Sequence, residues 1–478
     1  MNQNTGLKTV IYNVMYLFFG NVFTKLLAAV ATILYARFSG ASEYGILSVA
    51  LAFAAIVSYF TDAGISQTTI REGTKPDADI SSIMFAYTKI RLFLFFGVTL
   101  FSIVFINIFY SDPVTRSTIL FLTVPTLLGA LAQGIGITYF QIIEKMKYVS
   151  LINIIVSVGN SLALFIGVVS HLSIQMVSLL YGIASILGGI YAIWVVYKQI
   201  DFKVVKKKHP ELLNQLLSFT INGIIVMMIP QLGPIILEKV LTTTEVGNFS
   251  AAFKIPSVLY QFPGIVATAF YPKLFSLGNS GELSEHRKIC GFELKIMGTL
   301  GAALALPFIL APGFWIRLLL TDEFAPAIPA LVVLSYLILL QAIKYPLADY
   351  LTTVGNQWKR TIVMFVGLIV VIILYIVLGT NFGILGGALA PLISELVIIF
   401  GCVLFIPKGF SFLFKNSYIM IIAFVVSFMS YRLIFSSLHP LIGLTIVELI
   451  FITIIIFSDR TIRNKVISML KNKSFKIG

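Results

Sequence analysis

Long apolar stretches recur along the whole chain and are separated by short polar segments. A bilayer-spanning helix needs about 20 predominantly apolar residues, and by that measure fourteen stretches qualify. The pattern therefore predicts an all-α integral membrane protein with about fourteen transmembrane helices. The predicted spans lie near 10–36, 45–61, 84–110, 117–140, 149–169, 173–197, 216–237, 248–272, 291–316, 327–353, 360–379, 383–406, 416–436 and 441–458.

The first span carries a charged residue, Lys25, near its middle. A charge at that depth costs about 2.5–3.5 kcal/mol on insertion scales, so it normally faces a bundle interior or an aqueous cavity. Lys25 therefore predicts a cavity that accepts an anion, with a structural pair to a buried acid as the alternative. Small and polar side chains share its side of the helix: Asn13, Gly20, Asn21, Thr24 and Ala28.

The composition also indicates a membrane protein, because 58% of the residues are hydrophobic, 11% are charged and the mean hydropathy is +0.98. A net charge of +14 fits either nucleic-acid binding or membrane topology, and its distribution favours topology. With both termini in the cytoplasm, nearly all basic residues outside the spans, including Lys206–Lys208, lie inside, as the positive-inside rule requires. The residues left for the outer side are Arg37, Arg116, Lys239 and Arg317.

The sequence gives no sign of a cleaved leader or of a metal site. The first apolar run is about 26 residues long and lacks a small-residue cleavage site, so we expect it to remain as the first span. Cys290 and Cys402 lie at the edge of or within apolar segments. We therefore expect neither a disulfide nor a metal, and no bound cofactor.

A short motif occurs twice, at an offset of 202 residues. Ser42–Ala50 follows the first span and Thr244–Ala252 follows the seventh, with Glu, Gly, Ser and Ala at matching positions. A weaker match links Tyr181–Ala184 with Phe382–Leu385. Two halves of six spans each share one topology and are related by a pseudo-two-fold axis along the membrane normal. We predict an N-terminal lobe at 1–197, a basic linker at 198–215, a C-terminal lobe at 216–406, an added hairpin at 407–458 and a basic cytoplasmic tail at 459–478.

Two segments resemble polysaccharide exporters of the multidrug/oligosaccharidyl-lipid/polysaccharide superfamily. Tyr35–Gly45 is similar to the segment that follows the first span in those proteins, and Asp62–Ile65, with Arg71 after it, resembles their next motif. The resemblance implies the two-lobed fold shared with multidrug extruders and lipid II flippases, in the bacterial cytoplasmic membrane. It also implies outward flipping of an undecaprenyl-pyrophosphate-linked oligosaccharide among membrane lipids, with polysaccharide polymerase machinery as a partner.

The resemblance further implies candidate substrate ligands. Cationic residues of the first and eighth spans line the cavity in characterised relatives, and Lys25 and Lys254 lie in those spans here. Lysine binds pyrophosphate as a point charge, whereas arginine forms a bidentate fork. Asn21, beside Lys25, and Lys344, in the inner half of span ten, are further candidates. The alternatives are snorkelling to the interface for Lys254 and neutralisation by Asp349 for Lys344.

Other charged residues lie near the predicted membrane edges. Lys89, Arg91 and Lys295 are predicted to snorkel to the inner headgroups, where they would guide an anionic substrate toward the cavity. In the last hairpin, Arg432 and Glu448 lie at similar depth, and we predict that they pair.

Glu395 is the charged residue nearest the middle of span twelve, four residues after Pro391. It is either a neutral buried carboxyl or a proton- or sodium-coupling site. Prolines also predict bends in spans seven and eight, which a gated cleft would use. These prolines are Pro230, Pro234, Pro256 and Pro263.

Three other functions compete with oligosaccharide flipping. Lipid II flipping is a close variant that suits fourteen spans. Pumps for organic cations need an acid within the first half, and spans one to six contain none away from their ends, while Lys25 would repel a cation. A membrane enzyme is not expected, because no Ser/His/Asp set, acidic metal cluster or phosphate-cradling glycine loop is found and the longest predicted outer loop has about ten residues.

Overall fold

The computed structural model describes residues 3–199, 209–213 and 216–465. Regular structure within these ranges is helical, so the predicted all-α class is confirmed. The α-helices are α1 (Gln3–Phe60), α2 (Ile65–Gly73), α3 (Ile80–Phe109), α4 (Pro113–Ile142), α5 (Met146–Val169), α6 (Ile174–Tyr197), α7 (Leu216–Met228), α8 (Leu232–Leu237), α9 (Thr243–Leu259), α10 (Gln261–Asn279), α11 (Leu283–Leu310), α12 (Pro312–Leu319), α13 (Ile328–Thr353), α14 (Gln357–Phe405), α15 (Gly409–Ser430) and α16 (Pro440–Ser458).

Ten helical segments of the described chain are long and apolar enough to cross a membrane. Two helices are of double length, since α1 has 58 residues and α14 has 49, and each contains one non-helical glycine, Gly40 and Gly383 respectively. Straight helices of these lengths would measure about 87 Å for α1 and about 74 Å for α14 at 1.5 Å per residue, against a hydrocarbon core of roughly 30 Å. The multi-pass architecture is thus established, and the count of fourteen spans stays a prediction.

Helix α14 folds back on itself at Gly383. The backbone there has φ 58° and ψ −136°, a conformation that glycine adopts at least cost. The two arms then run antiparallel, because Ser394 Oγ donates to the Gly367 carbonyl at 2.8 Å and the rings of Trp358 and Phe405, at the two ends of the helix, are 6.5 Å apart. These arms correspond to the predicted spans eleven and twelve.

The predicted spans seven and eight are each broken close to their prolines. Helix α7 is followed by a 3-10 turn at Ile229–Gln231, which contains Pro230, before α8 begins. A single residue, Tyr260, separates α9 from α10, between Pro256 and Pro263. Proline lacks the N–H donor and its ring disturbs the preceding helical turn, so both breaks follow from the sequence.

The chain divides into two compact units between Ser250 and Ala251. In the first unit α4 lies along α6, and the first arm of α1 packs on α5, where Ser157 Oγ donates to the Thr24 carbonyl at 2.9 Å. The predicted lobe boundaries stay predictions, since most of the linker 198–215 and the tail after residue 465 lie outside the described ranges. In the second unit, α11, α13 and α14 share an apolar core that includes Leu294, Leu347, Leu351, Ile398 and Cys402.

Candidate functional site

Lys25 lies on the first arm of α1, and its side chain is exposed. It makes no ion pair with any residue that the structure describes, so the alternative of a structural acid finds no partner in those ranges. The side chain of Asn21 lies outside the described part of the structure. An ammonium on an apolar helix attracts anions, because its charge is otherwise poorly solvated there. The roles of Lys25 and Asn21 as substrate ligands stay predictions.

Lys254 lies on α9, in the second unit, and its side chain is partly buried. Its ammonium has no carboxylate partner within the described ranges. Ser257 contacts only its backbone, through a hydrogen bond of 2.7 Å from Ser257 Oγ to the Lys254 carbonyl. The assignment of Lys254 as an anion ligand also stays a prediction.

Lys344 forms a buried ion pair with Glu395. Lys344 Nζ lies 2.8 Å from Glu395 Oε1, and the two side chains are 15% and 5% exposed. Gln341, one helical turn before Lys344 on α13, donates its amide N–H to the same oxygen. Among the described residues, Glu395 Oε2 has no hydrogen-bond partner. The two candidates that the sequence suggested separately, an anion ligand and a coupling acid, are therefore bound to each other.

The suggested pairing of Lys344 with Asp349 is wrong. Residues five apart on an α-helix point about 140° away from each other, so α13 presents the two side chains to different neighbours. Lys344 faces the second arm of α14, where Glu395 lies. Sequence reasoning could have excluded this pair from helical geometry alone.

Aromatic hydroxyl groups surround the Lys344–Glu395 pair. Tyr345, on α13, and Tyr260, at the break between α9 and α10, both lie within electrostatic range of Glu395. Gly264 makes room for this arrangement, because a Cβ there would lie 3.1 Å from the Tyr345 hydroxyl. The broken eighth span thus brings a phenol to the only carboxylate described on the second arm of α14.

Asp349 lies instead beside a second buried acid, Glu293 of α11. Glu293 is fully buried and Asp349 is 4% exposed, and their carboxyl groups interact directly. Neither oxygen of Glu293 has a hydrogen-bond donor among the described residues, while Arg360 lies close enough to Asp349 to act on its charge. Sequence analysis missed this pair, although two acids at similar depth in spans nine and ten were a usable signal.

Arg91 does not reach the inner headgroups, so its predicted role in guiding substrate is wrong. The residue is 3% exposed, and its guanidinium donates to Tyr87 Oη at 3.0 Å, to the Ala130 carbonyl at 3.0 Å and to Thr61 Oγ1 at 3.3 Å. Asp62 lies 3.8 Å away as its counter-charge. The Arg91 side chain is long enough to place its guanidinium among these groups. Removing one member of such a buried pair is strongly destabilising.

The same network explains the Asp62–Ile65 motif. Ala63 and Gly64 have left-handed backbones, with φ of 47° and 81°, which turn the chain from α1 into α2. Asp62 holds this turn, since Oδ2 accepts from Ser66 Oγ at 2.7 Å and Oδ1 accepts from Tyr87 Oη at 3.1 Å. The segment that resembles the exporters is thus a structural connection.

Lys295 is not free at the interface either, because it pairs with Asp459 just after α16. Lys295 Nζ lies 2.7 Å from Asp459 Oδ2, and the backbone N–H groups of Thr461 and Ile462 donate to Oδ1 at 2.9 and 3.2 Å. Burial alone would raise the pKa of Asp459, but these hydrogen bonds outweigh it and the pKa is lowered. Lys295 thus reaches the end of α16 but is paired there, and its role in guiding substrate stays a prediction. Lys89 is exposed, with its ammonium 4.4 Å from the Phe85 ring centre, and its role stays a prediction.

The predicted pair of Arg432 and Glu448 does not form. A π-helical turn at Tyr431–Phe435 follows α15, and the Arg432 guanidinium lies over the Phe428 ring at 5.6 Å. Glu448 Oε1 has no hydrogen-bond partner in the described ranges. The extra residue in the π turn rotates Arg432 away from the position that a regular helix would give it.

Numerous apolar helices with charged residues among them define a multi-pass membrane protein. The chain belongs to the polysaccharide biosynthesis protein family, whose sequence pattern matches residues 10–277.

Other known proteins are similar to this chain in sequence or in fold. Over 417 residues the chain is 22% identical to the "Putative O-antigen transporter" of Escherichia coli (strain K12), covering 83% of this chain and 96% of that protein. The lipid II flippase MurJ, in an inward closed conformation, superposes with a TM-score of 0.75 at 15% identity, over 95% of this chain and 100% of that one. An inward-facing multidrug resistance MATE family transporter gives 0.69 at 13% identity, over 82% and 96%. The fold that the resemblance implied, shared with multidrug extruders and lipid II flippases, is confirmed. Sequence identities this low show a similarity of fold alone.

Proposed function

We propose that the protein is a flippase that moves an undecaprenyl-pyrophosphate-linked oligosaccharide from the cytoplasmic to the outer leaflet by alternating access. Membership of the polysaccharide biosynthesis family and the relative named for O-antigen transport support the substrate class. The observation that carries the proposal is Lys25, a cation in a spanning helix without a carboxylate partner among the described residues.

The physical logic is that sugars and pyrophosphate cannot enter hydrocarbon without losing their hydration, whereas a polyprenyl tail is soluble there. A cationic chamber carries the headgroup while the tail stays in the lipid. An inside-negative potential favours outward movement of the anion by about 2.3 kcal/mol per charge per 100 mV. Where Lys25 and Lys254 neutralise the two pyrophosphate charges, this assistance falls and coupling to H⁺ or Na⁺ takes its place.

The proposed setting follows from the charge pattern of the sequence. The protein lies in the bacterial plasma membrane with both termini in the cytoplasm, since basic residues outside the spans then lie almost entirely inside. Its partners are the lipid-linked glycan, the surrounding lipids and the machinery that polymerises the exported units. It performs transport without catalysing a covalent reaction.

Replacing Lys25 tests the proposal. Lys25→Ala should abolish surface polysaccharide at an unchanged level of membrane-inserted protein, and Lys25→Arg should retain much of the export because it keeps the charge. Lys288→Ala is the matched control, because Lys288 is an exposed lysine that pairs only with Glu285 one turn away on α11. Normal export by Lys25→Ala would refute the proposed site.

Lipid II flipping is the second candidate, favoured by the superposition on MurJ. Complementation of a strain depleted of its lipid II flippase separates the two substrates. Growth of that strain on expression of this protein would select lipid II. Restored polysaccharide in an exporter mutant, without rescue of the depleted strain, would select the oligosaccharide.

A further inference from the structure

The carboxylate of the Lys344–Glu395 pair is incompletely hydrogen-bonded, unlike the carboxylates of Asp62 and Asp459. In Asp62 and in Asp459 both carboxylate oxygens accept hydrogen bonds. In Glu395 only Oε1 is bonded, to both Lys344 and Gln341, while Oε2 has no partner in the described ranges. A buried carboxylate oxygen without a donor is costly, so this pair is poorly suited to a purely structural role.

The side chain of Lys344 is more exposed than that of its partner, at 15% against 5% for Glu395. Glu395 cancels its charge, and an approaching phosphate would meet a neutral pair with a second carboxylate oxygen beside it. The two anions compete for one ammonium until one of them loses its charge.

We propose that Lys344 is a phosphate-binding residue that Glu395 blocks by pairing with it. When a pyrophosphate-linked headgroup displaces Glu395 from Lys344, Glu395 takes up one proton. This inference rests on the proposed function and assigns the coupling ion and a second anion ligand of the same transport cycle. A protonated Glu395 becomes a donor as well as an acceptor, so it can remain bonded to the Gln341 amide after Lys344 leaves.

Among the groups around Glu395, Lys344 is the one that neutralises its charge. Tyr345 and Lys344 face it from α13, Tyr260 from the break between α9 and α10, and Cys402 lies two turns further along α14. The next charges out are Arg360, which acts on Tyr345 and Cys402, and Asp349, which acts on Tyr345. Phenols and thiols are uncharged in water at neutral pH. Within the described ranges, Lys344 is thus the full positive charge bonded to Glu395.

The test measures proton uptake on binding. The full chain in lipid nanodiscs is titrated with farnesyl-pyrophosphoryl-N-acetylglucosamine, a diester whose phosphates do not titrate between pH 6 and pH 8. Calorimetry in two buffers of different ionisation enthalpy should show about one proton taken up per headgroup. Affinity should then rise by about 100-fold from pH 8 to pH 6, because one proton taken up changes the binding constant about tenfold per pH unit.

Variants test the contribution of Glu395 and of Lys344 separately. Glu395→Gln should bind at pH 8 as tightly as the unmodified chain binds at pH 6, without pH dependence, and Lys344→Gln should bind weakly at both values. Asp459→Asn, which breaks the saturated pair with Lys295, should leave affinity and proton uptake unchanged. Inorganic pyrophosphate, run in parallel, shows whether the phosphates suffice without lipid and sugar.

Binding by the unmodified chain without proton uptake would overturn the inference and leave the flippase proposal standing. That readout needs no variant, so a misfolded Glu395→Gln protein would not obstruct it. Failure of the folded chain to bind the probe at any pH would overturn both proposals.

Discussion

The hydroxyl groups of Ser48 and Ser250 lie 2.8 Å apart, although the two residues are separated by 202 positions. That separation equals the offset of the repeated motif, and a neighbouring pair, Ser42 and Thr243, meets at 3.1 Å with an offset of 201. A residue can contact its own repeat equivalent only close to the axis that relates the two copies. The duplicated segments therefore cross each other.

Gly45 and Gly247 make this crossing possible, and a side chain at either position should disrupt it. A Cβ on Gly45 would lie 2.0 Å from the Thr243 carbonyl oxygen, and one on Gly247 would lie 1.8 Å from that of Ala41. Backbone cannot move aside as a side-chain end can, so Gly45→Ala should lower stability by about 1–3 kcal/mol. Thermal unfolding in detergent measures this, with Gly97→Ala as control because no atom of the described residues lies within 4 Å of a Cβ there. Equal stability of the two variants would contradict the crossing.

Arg91→Ala should unfold the first unit more easily, since it strips a buried counter-charge from Asp62. The expected loss is about 3–5 kcal/mol, as for other broken buried pairs. The measurement is the detergent-solubilised melting temperature, together with the level of inserted protein. Lys89→Ala, two residues away on the exposed side of α3, should leave both unchanged. An Arg91→Ala protein that folds normally but binds the headgroup poorly would restore the original substrate-guiding role.

The pair of Lys295 and Asp459 should lose its stabilising effect in acid. The pKa of Asp459 is lowered in the folded protein, so its contribution is present above the unfolded value of about 3.9 and disappears as the pH falls through the folded value. Melting temperatures of the unmodified chain and Asp459→Asn should therefore differ at pH 7 and converge toward pH 3. A constant difference across that range would show that the carboxylate charge is irrelevant.

Glu448→Gln should leave stability unchanged or raise it, because the carboxyl of Glu448 has an oxygen without a partner in the described ranges. Replacing a buried ionisable group that lacks a counter-charge by a neutral one removes a desolvation penalty. Comparison of melting temperatures with Asp459→Asn, which breaks a formed pair, gives the contrast. A large loss in Glu448→Gln would mean that Arg432 and Glu448 interact after all.

The sequence was sufficient to predict features set by local physics. The apolar stretches predicted the all-helical multi-pass architecture, and prolines predicted the breaks at Pro230 and between Pro256 and Pro263. The repeat marked the two segments that touch at Ser48 and Ser250. Each of these depends on residues close in the chain or on direct comparison of two segments.

The partners of intramembrane charges could not be predicted in the same way. The free-energy cost of burying a charge predicts that Lys344, Glu395 and Arg91 have partners. Which partner each one has depends on how the neighbouring helices are rotated about their axes. Glu395 lies 51 positions from Lys344, and no periodicity in either helix reports that angle. Arg91 was misplaced for the same reason, since a long side chain near a membrane edge fits snorkelling and burial equally well.

The reversal at Gly383 has a consequence for how the protein enters the membrane. Because α14 returns on itself, Lys359 and Arg360 at its start and Lys408 just after its end stand at the same end of the helical pair, as the Lys359 ammonium 5.6 Å from the Phe405 ring confirms. These three cations, at the end of the hairpin opposite Gly383, resist translocation across the membrane, while the turn at Gly383 carries no basic residue. The hairpin should therefore insert into the membrane with the turn at Gly383 leading, and both arms should cross in one event.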